Sequence, residues 1–155
     1  MEQIVGRKTE ITRHCIWTHQ MGKPRQNTWY GLAFERICML HIPQIKKRLG
    51  IEQIYTEYYS WRSKCSTPAA QIDLLIERAD HLINLCEIKY SQSPYTITKE
   101  EELNIRTRMG DFVEETGVRH GILPTLITTF GIRPNAHSAI AQVQLTMDDL
   151  FDDMG

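Results

Sequence analysis

The chain has 155 residues, 41% hydrophobic and 24% charged, which is the composition of one globular domain rather than of a disordered or fibrous protein. No apolar run approaches the roughly 18 residues of a membrane span, and the N-terminus lacks a signal-peptide core, so we expect a cytoplasmic protein with no membrane partner. The net charge of −1 excludes a strong overall positive field. A local basic groove is still compatible with this net charge, because four of the acidic residues that contribute to it are concentrated close to the C-terminus: Asp148, Asp149, Asp152 and Asp153.

Hydrophobic periodicity and turn residues divide the chain into a lead-in segment, residues 1–27, and one domain, residues 28–155. Apolar residues at three- and four-residue spacing predict helices, whereas β-branched and aromatic runs predict strands. The predicted elements in chain order are a helix from Asn27 or Thr28 to Cys38, a helix from Gln44 to Leu49, strands from Ile51 to Trp61, Gln71 to Glu77 and Leu82 to Lys89, a helix from Lys99 to Gly117, strands from Ile122 to Phe130 and Ala139 to Leu145, and a helix from Met147 to Met154.

This order of elements predicts an α/β sandwich. The second and third strands outline a hairpin, whereas a helix between the third and fourth strands is a crossover that requires parallel pairing. We therefore expect a central mixed sheet of four strands between helices, followed by a small C-terminal strand and helix. The buried stripe of the crossover helix should consist of Ile105, Met109, Phe112, Val113 and Thr116.

The predicted hairpin brings four polar residues together. If a three-residue loop around Asp80 joins its strands, Asp73 stands opposite Glu87 and both side chains lie on one face. In the same register Gln71 stands opposite Lys89. A two-residue loop would separate Asp73 from Glu87. The other face of the first hairpin strand should carry Ile72, Leu74 and Ile76.

Two neighbouring carboxylates suggest a cation site. Asp73 and Glu87 would repel each other at about 5 Å, and a divalent cation would make the arrangement favourable. The alternative is a solvated sheet edge with a weak surface ion pair to Lys89. Glu35 lies at the margin of the apolar stripe of the first helix, where an unbound carboxylate is costly, although a pair with Arg36 would also satisfy it.

These residues resemble the site of the PD-(D/E)xK nuclease superfamily, in which an aspartate precedes a Glu-x-Lys strand; here they are Asp73 and Glu87-Ile88-Lys89, after a helix that bears Glu35. The order of elements also matches the core of that superfamily. Four longer strings resemble the C-terminal nuclease-like domain of prokaryotic AAA-type ATPases: WYGLAFE from Trp29, HIPQIK from His41, AQIDLLI from Ala70 and INLCEIKY from Ile83. The similarity extends from Trp17 to Phe151. Ile72 stands where many members have proline.

The resemblance implies a restriction-endonuclease-like fold and a Mg²⁺-dependent hydrolase of the deoxyribonuclease type, acting on nucleic acid and most simply on DNA. It implies a Mg²⁺ or Mn²⁺ ion held by Asp73, Glu87, Glu35 and the carbonyl of Ile88. Lys89 would act in catalysis with Asp73 and Glu87, and Gln71 would support the site by hydrogen bonding. Glu35 should then lie within reach of a metal ion bridging the two strand carboxylates.

The implied partners include an ATPase domain outside this chain, because no GxxxxGK(S/T) phosphate loop occurs here and no ATP site is expected. A homo-oligomer is also compatible with the sequence. A second interpretation keeps the fold without catalysis, as an inactive module for nucleic-acid binding or oligomerisation. The net charge and the acidic C-terminus favour that module, whereas the presence of every carboxylate and the lysine favours the enzyme.

Overall fold

A computed structural model of the chain describes residues 26–152, so nearly all of the predicted lead-in lies outside the described residues. The domain begins with two helices, and the crossover helix and a short helix follow later. The helices are α1 (Gln26–Leu40), α2 (Ile42–Arg48), α3 (Lys99–Thr116) and α4 (Met147–Phe151). The strands are β1 (Thr56–Arg62), β2 (Gln71–Arg78), β3 (Leu82–Lys89), β4 (Gly121–Thr128) and β5 (Val143–Thr146).

The strands form one mixed sheet in the order β1-β2-β3-β4-β5. The first three are antiparallel, whereas β4 pairs parallel to β3 and β5 pairs parallel to β4. The predicted α/β sandwich with a mixed sheet is confirmed, but the strand count is five rather than four. The C-terminal strand belongs to the main sheet because its pairing satisfies the backbone of β4, and because Leu145 is buried in the core.

Helices cover both faces of the sheet. On one face, which we call the α1 side, Phe34 and Cys38 pack with Leu74, Ile76 and other sheet residues. On the opposite face, the α3 side, Phe112 packs with residues that include Leu75 and Leu85. The buried core therefore lies in two layers separated by the sheet, as expected for a three-layer arrangement.

Several predicted boundaries are wrong by a few residues. The first strand begins at Thr56 rather than at Ile51, because the Ile51 amide donates to the Lys46 carbonyl and the segment completes the end of α2. Val113 and Thr116 are exposed, since α3 contacts the sheet through the narrower stripe of Ile105, Met109 and Phe112. The last strand starts at Val143 after a short 3-10 turn, Ser138–Ile140. Within residues 26–152, no helix is long and apolar enough to cross a membrane.

Thr98 begins α3 with a capping box. Its hydroxyl accepts a hydrogen bond from the Glu101 amide at 3.2 Å, and the Glu101 carboxylate accepts one from the Thr98 amide at 3.0 Å. We expect Thr98→Ala to lower the free energy of unfolding by about 1 kcal/mol, because the Glu101 amide loses its acceptor. Thermal denaturation measures this loss, and Thr98→Ser is the control that retains the hydroxyl. Equal midpoints for the alanine and serine variants would contradict the assigned cap.

Candidate functional site

The β2–β3 hairpin has the predicted register. Hydrogen-bonded pairing runs from Glu77 opposite Ile83 to Leu74 opposite Cys86, and three residues, numbers 79–81, form the loop. His81 has φ of +65°, the left-handed conformation that commonly closes a three-residue hairpin loop. The odd-length loop around Asp80 is therefore confirmed, and continuing the same register places Asp73 across from Glu87.

The two strands separate at the carboxylates. Their pairing ends at Leu74 and Cys86, whereas β2 continues alongside β1 as far as Gln71 and β3 continues alongside β4 as far as Lys89. Asp73 and Glu87 consequently do not form the direct cross-strand pair that the sequence predicted, because the sheet opens between them. We call this opening the fork.

Asp73 lies in a β-bulge. Two residues of β2, Asp73 and Leu74, stand opposite the single residue Ser60 of β1. Ile72 packs on the α3 side, whereas Leu74 and Ile76 pack on the α1 side. The predicted common face of these three apolar residues is therefore wrong, since the extra residue interrupts the alternation. Bulges re-aim side chains and occur often beside active sites, and the side chain affected here is Asp73.

Gln71 holds the Asp73 carboxylate. Its side-chain amide Nε2 donates a hydrogen bond to Oδ1 of Asp73 at 2.9 Å. The two side chains lie at the start of β2, where that strand has left β3. Gln71 thus fixes the position of Asp73, which is the supporting contact that the sequence analysis assigned to it.

Glu87 is a buried carboxylate with cations on two sides. Only 5% of its side chain is exposed; Oε1 lies 3.1 Å from Nη1 of Arg108, and Oε2 lies 3.9 Å from Nζ of Lys89. Burial raises the pKa of Glu87, while the charges of Arg108 and Lys89 lower it and that of Asp73 raises it. Oε1 forms no hydrogen bond of good geometry despite its ion pair. The fork therefore contains a desolvated acid that depends on nearby positive charge.

Glu35 on α1 interacts electrostatically with Asp73, Lys89 and Glu87, although Glu87 itself lies on the α3 side of the sheet with Arg108. The pKa of Glu35 is raised from an ordinary 4.5 to about 7, chiefly by burial and then by repulsion from Asp73; the charge of Lys89 lowers it and that of Glu87 raises it. Glu35 is half-buried, and its reach to an ion between Asp73 and Glu87 stays a prediction. We call the group of Glu35, Asp73, Glu87 and Lys89 the fork site. The neighbouring Ile88 is buried, and its side chain packs on the α1 side.

The carboxylates interact electrostatically without converging on one point. In residues 26–152, no group of three His, Cys, Asp or Glu side chains is arranged to hold a metal ion. The donor chemistry nevertheless suits a hard divalent cation, because the acidic groups offer only oxygen atoms. The buried Oε1 of Glu87 has the Arg108 guanidinium as its partner at 3.1 Å, so a cation at this carboxylate would have to compete with that ion pair.

Arg108 is the residue of this region that the sequence analysis did not place with the carboxylates. It follows Ile105 by three residues on α3, at the margin of the buried stripe, and 24% of its side chain is exposed. That spacing is the signal that could have indicated a half-buried arginine beside the sheet. The spacing does not reveal the partner, since Glu87 reaches Arg108 only through the packing of α3 on the sheet.

The raised pKa of Glu35 predicts that the free energy of unfolding depends on pH. Between about pH 4.5 and pH 7 the folded chain keeps a proton that the unfolded chain has released, so stability falls as pH rises through this window. Glu35→Gln should therefore raise the free energy of unfolding by about 1–2 kcal/mol at pH 8, allowing for partial exposure, and change it little at pH 5. Thermal denaturation in EDTA measures the stability of each variant at pH 8 and at pH 5. Glu52→Gln, at an exposed residue, is the control. An equal effect of Glu35→Gln at both pH values would contradict the shift.

No family model matches the chain, and no curated protein matches it. Among solved structures, the crystal structure of a protein of unknown function, AF1548, is similar, with 18% sequence identity and a TM-score of 0.48. The alignment covers 74% of this chain and 64% of AF1548, so this chain spans less than two thirds of that protein's length. Similarity at this level assigns neither a family nor an activity to this chain.

Proposed function

We propose that this chain is a metal-dependent nucleic-acid phosphodiesterase with the fold of the PD-(D/E)xK nuclease superfamily, and that its substrate is DNA. The observation that carries the proposal is the fork, where β2 and β3 separate next to Asp73, Glu87 and Lys89, with Glu35 in electrostatic contact. Opening a sheet costs backbone hydrogen bonds, so its coincidence with the charged residues favours a binding site over a solvated edge.

The metal ligands would be the carboxylates of Asp73, Glu87 and Glu35, with the carbonyl of Ile88 as a further oxygen donor. All four are hard ligands of the type that Mg²⁺ and Mn²⁺ prefer. A divalent ion held there supplies a water of lowered pKa and neutralises charge on the phosphate. Gln71 contributes by holding Asp73 in place through its hydrogen bond.

Lys89 is the candidate catalytic cation. Its Nζ lies 3.9 Å from Oε2 of Glu87, and 32% of the side chain is exposed, so the ammonium group is open to a substrate from the solvent side. In that position it can orient the attacking water or stabilise the negative charge that develops on the phosphate. An ammonium group suits this role because it is a compact, strongly charged donor.

A nuclease-fold module without catalysis is the second candidate, and the Arg108–Glu87 ion pair favours it. A guanidinium 3.1 Å from Glu87 already neutralises the carboxylate that a metal ion would require. Such a module would bind nucleic acid or assemble with other subunits, and in either form the chain would work with an ATPase domain supplied from elsewhere. The two candidates differ in whether a divalent cation bound at the fork site supports cleavage of nucleic acid.

The deciding experiment combines calorimetric titration of Mg²⁺ and Mn²⁺ with cleavage assays. Plasmid, linear duplex, single-stranded DNA and RNA substrates are incubated with the full chain in each metal and in EDTA. The enzyme proposal expects ion binding together with metal-dependent cleavage of at least one DNA substrate. Ion binding without cleavage of any substrate, or no binding of either metal, would contradict the enzyme and leave the binding module.

A further inference from the structure

Arg108 contacts the fork site through an ion pair, and within residues 26–152 only two long hydrogen bonds restrain its guanidinium further. Its Nη1 lies 3.1 Å from Oε1 of Glu87, and the same atom lies 3.5 Å from the backbone carbonyl of Gln71. Its Nε donates at 3.3 Å to the carbonyl of Asn104 in its own helix. The guanidinium thus spans both strands at the fork, with the ion pair to Glu87 as its one charged contact among the described residues.

A divalent ion bound to Glu87 would compete directly with this arginine. Two cations within a few ångströms repel strongly where burial lowers the effective dielectric constant, and Glu87 is almost fully buried. Arg108 has a route away from the carboxylate, because 24% of its side chain is already exposed and its carbonyl contacts are long. A long flexible side chain can therefore leave Glu87 without any movement of α3.

A guanidinium released at this point would face a phosphate held by the ion. Arginine binds phosphate through parallel N–H donors that match its oxygen atoms. The neighbouring Arg106 does not share this position, because its side chain is 60% exposed and it pairs at 2.7 Å with Glu102 of the same helix. Arg106 therefore provides a matched control two residues away.

We propose that Arg108 is an exchangeable counter-ion: it neutralises Glu87 until a divalent cation replaces it, and it then binds a phosphate of the nucleic acid. The inference rests on the proposed function, since it assumes that a metal binds to Glu87. It assigns Arg108 as a positioning residue for the metal and as a substrate ligand. It also makes the Arg108–Glu87 pair part of the cycle of an enzyme rather than evidence against one.

The first test is calorimetric titration of Mn²⁺ into the full chain without nucleic acid. Arg108→Gln should bind Mn²⁺ about tenfold more tightly than wild type, because the competing charge is gone, whereas Arg106→Gln should bind like wild type. Arg108→Lys keeps the charge and should stay within about threefold of wild type. A merely structural arginine would leave the affinity unchanged or weaken it, and either result in Arg108→Gln would overturn the inference.

The second test measures the salt dependence of binding to a short single-stranded DNA, in Ca²⁺ and in EDTA. Loss of one phosphate contact reduces the slope of log K against log salt by about 0.7. Arg108→Gln should show this reduction in Ca²⁺ but not in EDTA, because without the ion the arginine stays on Glu87. Any contribution of Arg106 should be the same in both conditions. A reduction equal in Ca²⁺ and EDTA would overturn the exchange.

Folding of the variant also bears on the inference. If Arg108→Gln is unfolded in EDTA because Glu87 loses its counter-ion, Mn²⁺ should restore a cooperative melting transition; a variant unfolded in Mn²⁺ as well overturns the inference. Failure of the proposed function looks different, because wild type itself would then bind no divalent ion. Metal binding by wild type with unchanged affinity in Arg108→Gln would reject the counter-ion role alone.

Discussion

Asp73→Asn should lose divalent-ion binding and metal-dependent cleavage together. The amide has nearly the shape of the carboxylate and can still accept the hydrogen bond that Gln71 donates at 2.9 Å, so the bulge and the local packing should survive. The variant removes the negative charge that makes Asp73 a ligand for a hard cation. We expect calorimetry with Mg²⁺ and Mn²⁺ to show no binding at millimolar concentrations, and plasmid nicking to fall to the level seen in EDTA.

Asp80→Asn is the matched control for this prediction. Asp80 lies in the loop of the same hairpin, at the opposite end from Asp73, and its exposed carboxylate pairs with Arg78. The control removes one carboxylate from the same hairpin and should leave ion binding and cleavage at wild-type levels. Glu87→Ala is a less informative variant, since it would leave Arg108 without its charged partner and disturb the fold. Full cleavage by Asp73→Asn would contradict the assigned metal site.

Lys89→Ala should separate metal binding from catalysis. Its ammonium lies 3.9 Å from Glu87, so its removal takes a positive charge from the site, and ion affinity should be retained or increased. Cleavage should fall by about 10²-fold or more, the scale expected when one preorganised electrostatic contact to the transition state is lost. Lys89→Arg should not restore the rate, because a planar guanidinium differs from an ammonium in reach and shape.

The measurement is the rate of cleavage at saturating metal, with ion calorimetry on each variant. Lys47→Ala is the control, since Lys47 is exposed on α2 and its removal changes the net charge by the same amount. Wild-type rates in Lys89→Ala would refute a catalytic lysine, while loss of both ion binding and cleavage would assign Lys89 to the integrity of the site instead.

Local sequence patterns were sufficient for most elements and for the hairpin register. The α3 helix runs from Lys99 to Thr116, within one residue of its prediction, because a capping threonine and a C-terminal glycine delimit it. The loop of β2 and β3 was also predicted, since its length determines which residues lie across from each other. These features depend on residues that are neighbours in the chain, so a periodic pattern can reveal them.

Only the tertiary structure decided how the candidate site is built. The bulge at Asp73 depends on how β1 pairs with β2, and the fork depends on β2 following β1 while β3 follows β4. Neither choice is encoded in the alternation of either strand. Arg108 meets Glu87 because α3 packs across the sheet, and β5 joins that sheet because β4 presents an unpaired edge to it. The sequence by itself determined which charged residues the hairpin carries; contacts between distant segments determined their spacing, burial and counter-ions, because these follow from long-range packing.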